Sequence, residues 1–120
     1  MLRAALEQVT RHWEALPITL SGFGIFPEPS AILWAAPVVT PVLLGRHAEI
    51  EIALPELQAH PYYRPNAWVP HITLSGALRD PGRALAAVLP IWRPLTGLLD
   101  RVDLVRFRPV DVLQSYVLPC

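Results

Sequence analysis

The sequence has 120 residues, 52% of them hydrophobic, and its ten acidic residues balance ten basic ones. This length and apolar content suit one domain with a buried core over residues 1–120. No apolar run approaches the ~18 residues that a membrane-spanning helix needs. The single cysteine, Cys120, excludes an internal disulfide and a cysteine metal cluster. Residues 1–14 lack the pattern of a signal peptide, so we expect a cytoplasmic protein that does not enter a membrane.

Charge is distributed unevenly along the chain. Residues 1–60 carry three arginines and six acids, whereas residues 61–120 carry seven arginines and four acids. The second half is therefore the better place for an anionic ligand. All ten basic residues are arginine. This can reflect genome composition as well as bidentate phosphate binding, so it identifies no ligand by itself.

Four elements are predicted in the first half of the chain, where helical spacing alternates with apolar and β-branched runs. They are a helix over residues 2–14, strands over 18–26 and 31–38, and a helix over 41–54. The first helix has its apolar stripe at Leu2, Leu6, Val9 and Trp13. Thr40-Pro41 places a capping hydroxyl before a proline and predicts the start of the second helix.

Four more elements are predicted after a proline-rich loop over residues 55–67. They are a strand over 68–77, a helix that Asp80-Pro81 opens, and strands over 96–108 and 112–118. The whole order is helix, strand, strand, helix, strand, helix, strand, strand. This order predicts the α+β class, as a sandwich in which helices pack on a largely antiparallel sheet.

His71, Thr73 and Ser75 alternate with apolar residues along the strand predicted over 68–77, so we expect them to share one face. An imidazole can act as an acid or a base near neutral pH. A hydroxyl two residues away lies about 6–7 Å along a strand, a separation that one phosphate or a bridging water can span. The pattern alone is also compatible with a structural histidine.

The segment Trp68–Gly76, WVPHITLSG, resembles the second signature of the 2H phosphoesterase superfamily, the 2′-5′ RNA ligase-like and cyclic phosphodiesterase proteins. In that signature an apolar-Pro-His-apolar-Thr-Leu strand follows a proline- and aromatic-rich loop. Tyr62–Asn66 occupies the place of the loop here. The predicted order of elements also follows that of the family through essentially the whole chain.

The resemblance implies a bilobal α+β fold in which two His-x-Thr/Ser motifs face each other across a cleft. Members hydrolyse 2′,3′-cyclic phosphates or related phosphodiesters without a metal or other cofactor. One histidine deprotonates the nucleophile, the other protonates the leaving oxygen, and the hydroxyls bind phosphate. By this match His71 is one acid/base and Thr73 binds phosphate. Ser75, predicted on the same face, is a further candidate for substrate binding. The implied partner is an RNA end or a cyclic nucleotide.

The first His-x-Thr motif of the family has no counterpart in the sequence, so the fold is expected to be N-terminally incomplete. The other three histidines are followed two positions later by neither threonine nor serine: His12 by Glu14, His47 by Glu49, and His60 by Tyr62. The near-copy PITLSG, residues 17–22, follows the first helix, where the family has an apolar strand with glycines. Its Thr19 and Ser21 are therefore interpreted as ordinary strand residues.

Three interpretations remain open for the missing motif. Met1 is an internal start of a longer protein, the chain is a diverged member with one motif, or a second chain supplies the missing group in a homodimer that completes the sheet. Three alternatives also remain open for the function. The chain is a cyclic phosphodiesterase, a catalytically impaired RNA- or nucleotide-binding domain, or a structural domain in which His71 is only a strand residue.

Overall fold

The computed structural model describes residues 2–27, 29–55, 64, 67–106 and 109–120. In these residues it contains three helices and six strands, which confirms the predicted α+β class. In chain order they are α1 (Leu2–Thr10), β1 (Leu16–Phe26), β2 (Ala31–Pro37), α2 (Pro41–Ala53), β3 (Ile72–Leu78), α3 (Pro81–Val88), β4 (Leu95–Leu99), β5 (Arg101–Arg106) and β6 (Asp111–Val117). Most of the predicted loop over 55–67, including His60, lies outside the described residues, as does Arg108.

Two sheets form, and the chain moves from one to the other at Asp100. The larger sheet has the order β3-β2-β1-β4, and β5 pairs with β6 in a two-stranded antiparallel sheet. The single strand predicted over 96–108 is therefore two strands, β4 and β5. The carbonyl of Asp100 accepts a hydrogen bond from the Leu118 amide just after β6, at 2.8 Å. The backbone partner thus changes at this residue, which the local sequence does not reveal.

The chain divides into two compact units. The first, here called the α1–α2 unit, comprises residues 1–17, 40–68 and 98–120. The second, the motif unit, comprises residues 18–39 and 69–97 and contains His71. That residues 1–120 behave as a single domain stays a prediction.

The α1–α2 unit is organised around the buried indole of Trp13. Its Nε1 donates a hydrogen bond to Glu49 at 2.7 Å, and the guanidinium of Arg46 lies 5.0 Å from the centre of the ring. The predicted first helix ends early, at Thr10, because the chain tightens there into a turn in which the Trp13 amide donates to the Thr10 carbonyl. That turn brings the indole against α2.

The predicted helix starts are confirmed by their caps. Thr40 Oγ1 accepts from the Leu43 amide at 3.2 Å, and Asp80 Oδ1 accepts from the Arg83 amide at 3.0 Å. In both helices a proline occupies the first turn, where its missing N–H leaves no carbonyl unpaired. In the described residues no helix has the length and apolar character needed to cross a membrane. The cytoplasmic location stays a prediction.

Strand β3 of the motif unit contains two irregularities against its neighbour β2. The register pairs Thr73 with Trp34, Ser75 with Leu33 and Leu78 with Ala31, so β3 has one extra residue in each interval. In the second interval Ala77 has a φ of 53°, in the left-handed region that favours glycine. Such bulges bend a strand and change the direction of its side chains.

We expect Ala77→Gly to raise the free energy of unfolding by about 1 kcal/mol, because it removes the contact between Cβ and the carbonyl that a left-handed residue suffers. Urea denaturation measures the change. Ala36→Gly in β2 is the matched control, since its φ is not positive. There the same substitution should cost about 0.5–1 kcal/mol through chain entropy. A loss of stability in Ala77→Gly equal to that of the control would contradict the assignment of strain to Ala77.

Candidate functional site

His71 lies directly before β3, and its ring is bonded to the backbone two residues earlier. Its Nδ1 is 2.7 Å from the carbonyl oxygen of Val69. Because a carbonyl oxygen only accepts, Nδ1 carries the hydrogen, and Nε2 carries the lone pair of the neutral ring. The strand predicted from residue 68 begins only at Ile72. Two features explain this later start. The Val69 carbonyl is hydrogen-bonded to the His71 ring, and Pro70 has no N–H that could bond to a neighbouring strand.

Two aromatic rings pack against the His71 imidazole. The centre of the Phe26 ring lies 4.8 Å from that of His71 with the planes at 88°, and the centre of Trp34 lies 6.0 Å away at 62°. Phe26 and Trp34 also contact each other, at 5.0 Å. We call Phe26, Trp34 and His71 the aromatic cluster. All three residues are half-buried, so one side of the imidazole is shielded while the residue keeps contact with solvent.

The aromatic cluster occupies the face of the sheet that points away from α3. Phe23 on β1 pairs with buried Ala35 and meets Trp92, just after α3, edge-to-face at 5.6 Å. That side of the sheet is therefore the α3 side. Trp34 is the neighbour of Ala35 on β2, and successive residues of a strand point to opposite faces. Trp34 and the ring of His71 are consequently on the other face.

Gly24 provides the surface on which Trp34 lies. The two residues are paired across β1 and β2. A Cβ at position 24 would clash with Cζ2 of Trp34 and come within 2.7 Å of Cη2 and 2.8 Å of Cε2. The indole Nε1 of Trp34 is buried and makes no hydrogen bond in the described structure. The position of the ring is thus set by packing on a glycine backbone and not by its polar atom.

Thr73 shares the face of the aromatic cluster, but Ser75 does not. Thr73 is exposed and pairs with Trp34, whereas Ser75 pairs with Leu33, whose side chain is on the α3 side. The extra residue Leu74 interrupts the alternation on which the sequence analysis relied. The expected row of three polar side chains is therefore wrong in this respect. The register puts Thr73 on the face of Trp34, whose ring His71 contacts, and it puts Ser75 on the other face. The chemical roles assigned to the three residues stay predictions.

The other two histidines within the described residues belong to the α1–α2 unit, as a helix-end and a partly packed residue, which agrees with their interpretation from the sequence. His12 is exposed after α1 and lines an open groove of about 470 Å³ together with Trp13 and Glu49. His47 is stacked on Trp68, with ring centres 4.0 Å apart, and its Nε2 lies 3.9 Å from Glu51. Among the residues that the structure describes, no group of three or more His, Cys, Asp or Glu could hold a metal ion.

Phe26, Trp34 and Gly24 are not among the site residues predicted from the sequence. Their importance depends on cross-strand neighbours, which a single sequence does not give. The available signal was a glycine between two aromatic residues in a strand, Phe23-Gly24-Ile25-Phe26, followed by a strand with a central tryptophan. Glycine inside a strand often marks a close approach of another group to the backbone.

We expect Gly24→Ala to lower the free energy of unfolding by about 1–3 kcal/mol, the usual cost of overpacking, because the new methyl group displaces the indole of Trp34. Gly22→Ala on the same strand is the control, since nothing lies within 4 Å of a Cβ built there. Its effect should be small. Chemical denaturation and Trp fluorescence measure both variants. Equal effects of the two substitutions would show that Gly24 has no special packing role.

Comparison with known families places these residues in context. The sequence model of the 2'-5' RNA ligase superfamily matches residues 1–111, a range that includes His71 and Thr73. No protein with a curated description matches the chain significantly. The family match supports a phosphoesterase- or ligase-like function in general. The chain therefore belongs to the 2'-5' RNA ligase superfamily, as the segment WVPHITLSG indicated.

Proposed function

We propose that the chain hydrolyses a 2′,3′-cyclic phosphate or a related phosphodiester at an RNA end or on a nucleotide, without a metal ion. His71 acts as the acid/base and Thr73 binds the phosphate. The observation that supports this proposal is the joint placement of the two residues. The imidazole is held with Nε2 as its basic nitrogen, on the same face of the sheet as an exposed threonine.

Hydrolysis of a cyclic phosphate requires the protein mainly to position the substrate and to transfer protons. Water attacks phosphorus while one ribose oxygen leaves, so one group must take a proton from the water and another must give one to the leaving oxygen. A histidine can perform either transfer, because imidazole gains and loses a proton near neutral pH. A hydroxyl can donate a hydrogen bond to the phosphate and stabilise the charge that develops on it. His71 and Thr73 provide one such pair.

A second candidate function is binding of RNA ends or nucleotides without turnover. The observation that favours it is the sequence itself, in which His71 is the one histidine followed by a residue and then threonine or serine. Two proton transfers need a second acid/base. If a second copy of the chain supplies that group in a homodimer, the activity per chain will increase with protein concentration.

We expect His71→Ala and His71→Gln to lower turnover of 2′,3′-cyclic nucleotides by about 10²- to 10⁴-fold, the usual contribution of a general acid or base. Thr73→Val should weaken substrate binding, and Thr73→Ser should restore most of it because the hydroxyl returns. His12→Ala is the control, since His12 is followed two positions later by Glu14 and is not part of a His-x-Thr/Ser motif, so turnover should be unchanged. Circular dichroism verifies that each variant is folded.

The same assay, combined with a binding titration, separates the alternatives. Unchanged turnover in both His71 variants would remove His71 from the mechanism. Binding of the cyclic nucleotide by the wild-type chain without hydrolysis would favour the binding domain. Absence of both binding and turnover would favour the structural interpretation.

A further inference from the structure

His71 lies just before strand β3, so its position is not fixed by the regular pairing of that strand. The contacts of its ring include a hydrogen bond to the Val69 carbonyl and the other two rings of the aromatic cluster. We propose that Phe26 and Trp34 are positioning residues for His71. Together with the Val69 carbonyl they fix the orientation and the neutral tautomer of the imidazole. The catalytic consequence of this inference rests on the proposed function, whereas its structural content does not.

The geometry of the contacts supports the proposal. The imidazole turns about the Cα–Cβ and Cβ–Cγ bonds of its side chain, and groups packed beside it limit these rotations in addition to the hydrogen bond at Nδ1. The plane of Phe26 meets that of the imidazole at 88° and the plane of Trp34 meets it at 62°, so each ring occupies space into which the imidazole would otherwise turn. Edge-to-face contacts are the arrangement that aromatic quadrupoles favour. The hydrogen bond therefore selects the nitrogen, and the two aromatic rings fix the plane.

Shielding from water gives the second argument. Where the imidazole and the Val69 carbonyl are both fully solvated, each can form a hydrogen bond to water instead of to the other. Phe26 and Trp34 occupy space beside the imidazole that water would otherwise fill. Without one of them the Nδ1–H form loses part of its advantage over the Nε2–H form. We expect the tautomer ratio to change by about 2- to 10-fold, which corresponds to the net contribution of one hydrogen bond.

The buried N–H of Trp34 indicates that the packing contacts of the indole, and not a hydrogen bond, determine where the ring lies. A buried donor without an acceptor costs free energy, and the Nε1 of Trp34 has no acceptor in the described structure. The same ring lies on Gly24, the neighbour two residues from Phe26 on β1. Strand β1 therefore supplies both one positioning ring and the surface that seats the other.

The test is nuclear magnetic resonance on the full chain with ¹⁵N-labelled histidine. Long-range ¹H–¹⁵N spectra recorded above the titration of the ring distinguish the two neutral tautomers, and His71→Gln assigns the His71 signals among the four histidines. The wild type should show His71 as the Nδ1–H form. Phe26→Leu and Trp34→Leu should each populate the Nε2–H form by the factor given above. Trp34→Phe is the second variant if Trp34→Leu fails to fold.

Phe23→Leu is the matched control. Phe23 lies on the same strand as Phe26 and makes a comparable edge-to-face contact, but with Trp92 on the α3 side. It should leave the tautomer of His71 unchanged. The inference is overturned if Phe26→Leu and a folded Trp34 variant keep the wild-type tautomer. It is equally overturned if Phe23→Leu shifts the tautomer as much as they do, since loosening of the whole sheet would then explain the change.

A kinetic measurement separates this inference from the proposed function. In an active chain Phe26→Leu should lower kcat and leave KM nearly unchanged, because Thr73 is not altered. Equal kcat in Phe26→Leu and the wild type would contradict the positioning role. If the wild type shows no turnover, the proposed function fails, and the tautomer measurement still decides whether Phe26 and Trp34 position the ring.

Discussion

The indole of Trp34 lies against the backbone of β1 at a distance that a residue with a Cβ does not permit. This close approach determines where the aromatic face of the motif unit can be built. Trp34 pairs across the sheet with Thr73 and contacts the ring of His71. Both members of the His-x-Thr motif are therefore located relative to one residue, Trp34, whose side chain packs on Gly24.

A short motif of this kind carries the reactive groups, but it does not contain the groups that orient them. Its histidine takes its tautomer from a carbonyl two residues earlier and its ring plane from residues on two other strands. Neighbours that fix the orientation and tautomer of a histidine are familiar from metal sites and catalytic triads. Here the groups that contact the ring include a backbone carbonyl and two aromatic side chains.

The features that could be predicted from the sequence are those with local causes. The capped starts of α2 and α3 depend on residues within three positions of Thr40 and Asp80, and the placement of His71 and Thr73 depends on their spacing. The predictions that were wrong concern features that depend on contacts between residues far apart in the sequence. The change of sheet at Asp100 depends on Leu118, and the position of Ser75 depends on where β2 accepts an extra residue of β3. A single sequence does not show which strands are neighbours in a sheet. The roles of Phe26 and Trp34 were inaccessible for the same reason.

The two irregularities of β3 also bear on the behaviour of the protein in solution. Among the strands that the structure describes, β3 is at one end of the larger sheet, and its Ile72 and Leu74 side chains are exposed. A long, straight and apolar outer strand is a template on which other chains assemble into aggregates. Bulges oppose this by twisting the strand and breaking the even spacing of its outward N–H and C=O groups. The irregularity that contains Ala77 therefore makes this strand a poorer template for aggregation than a regular strand of the same composition.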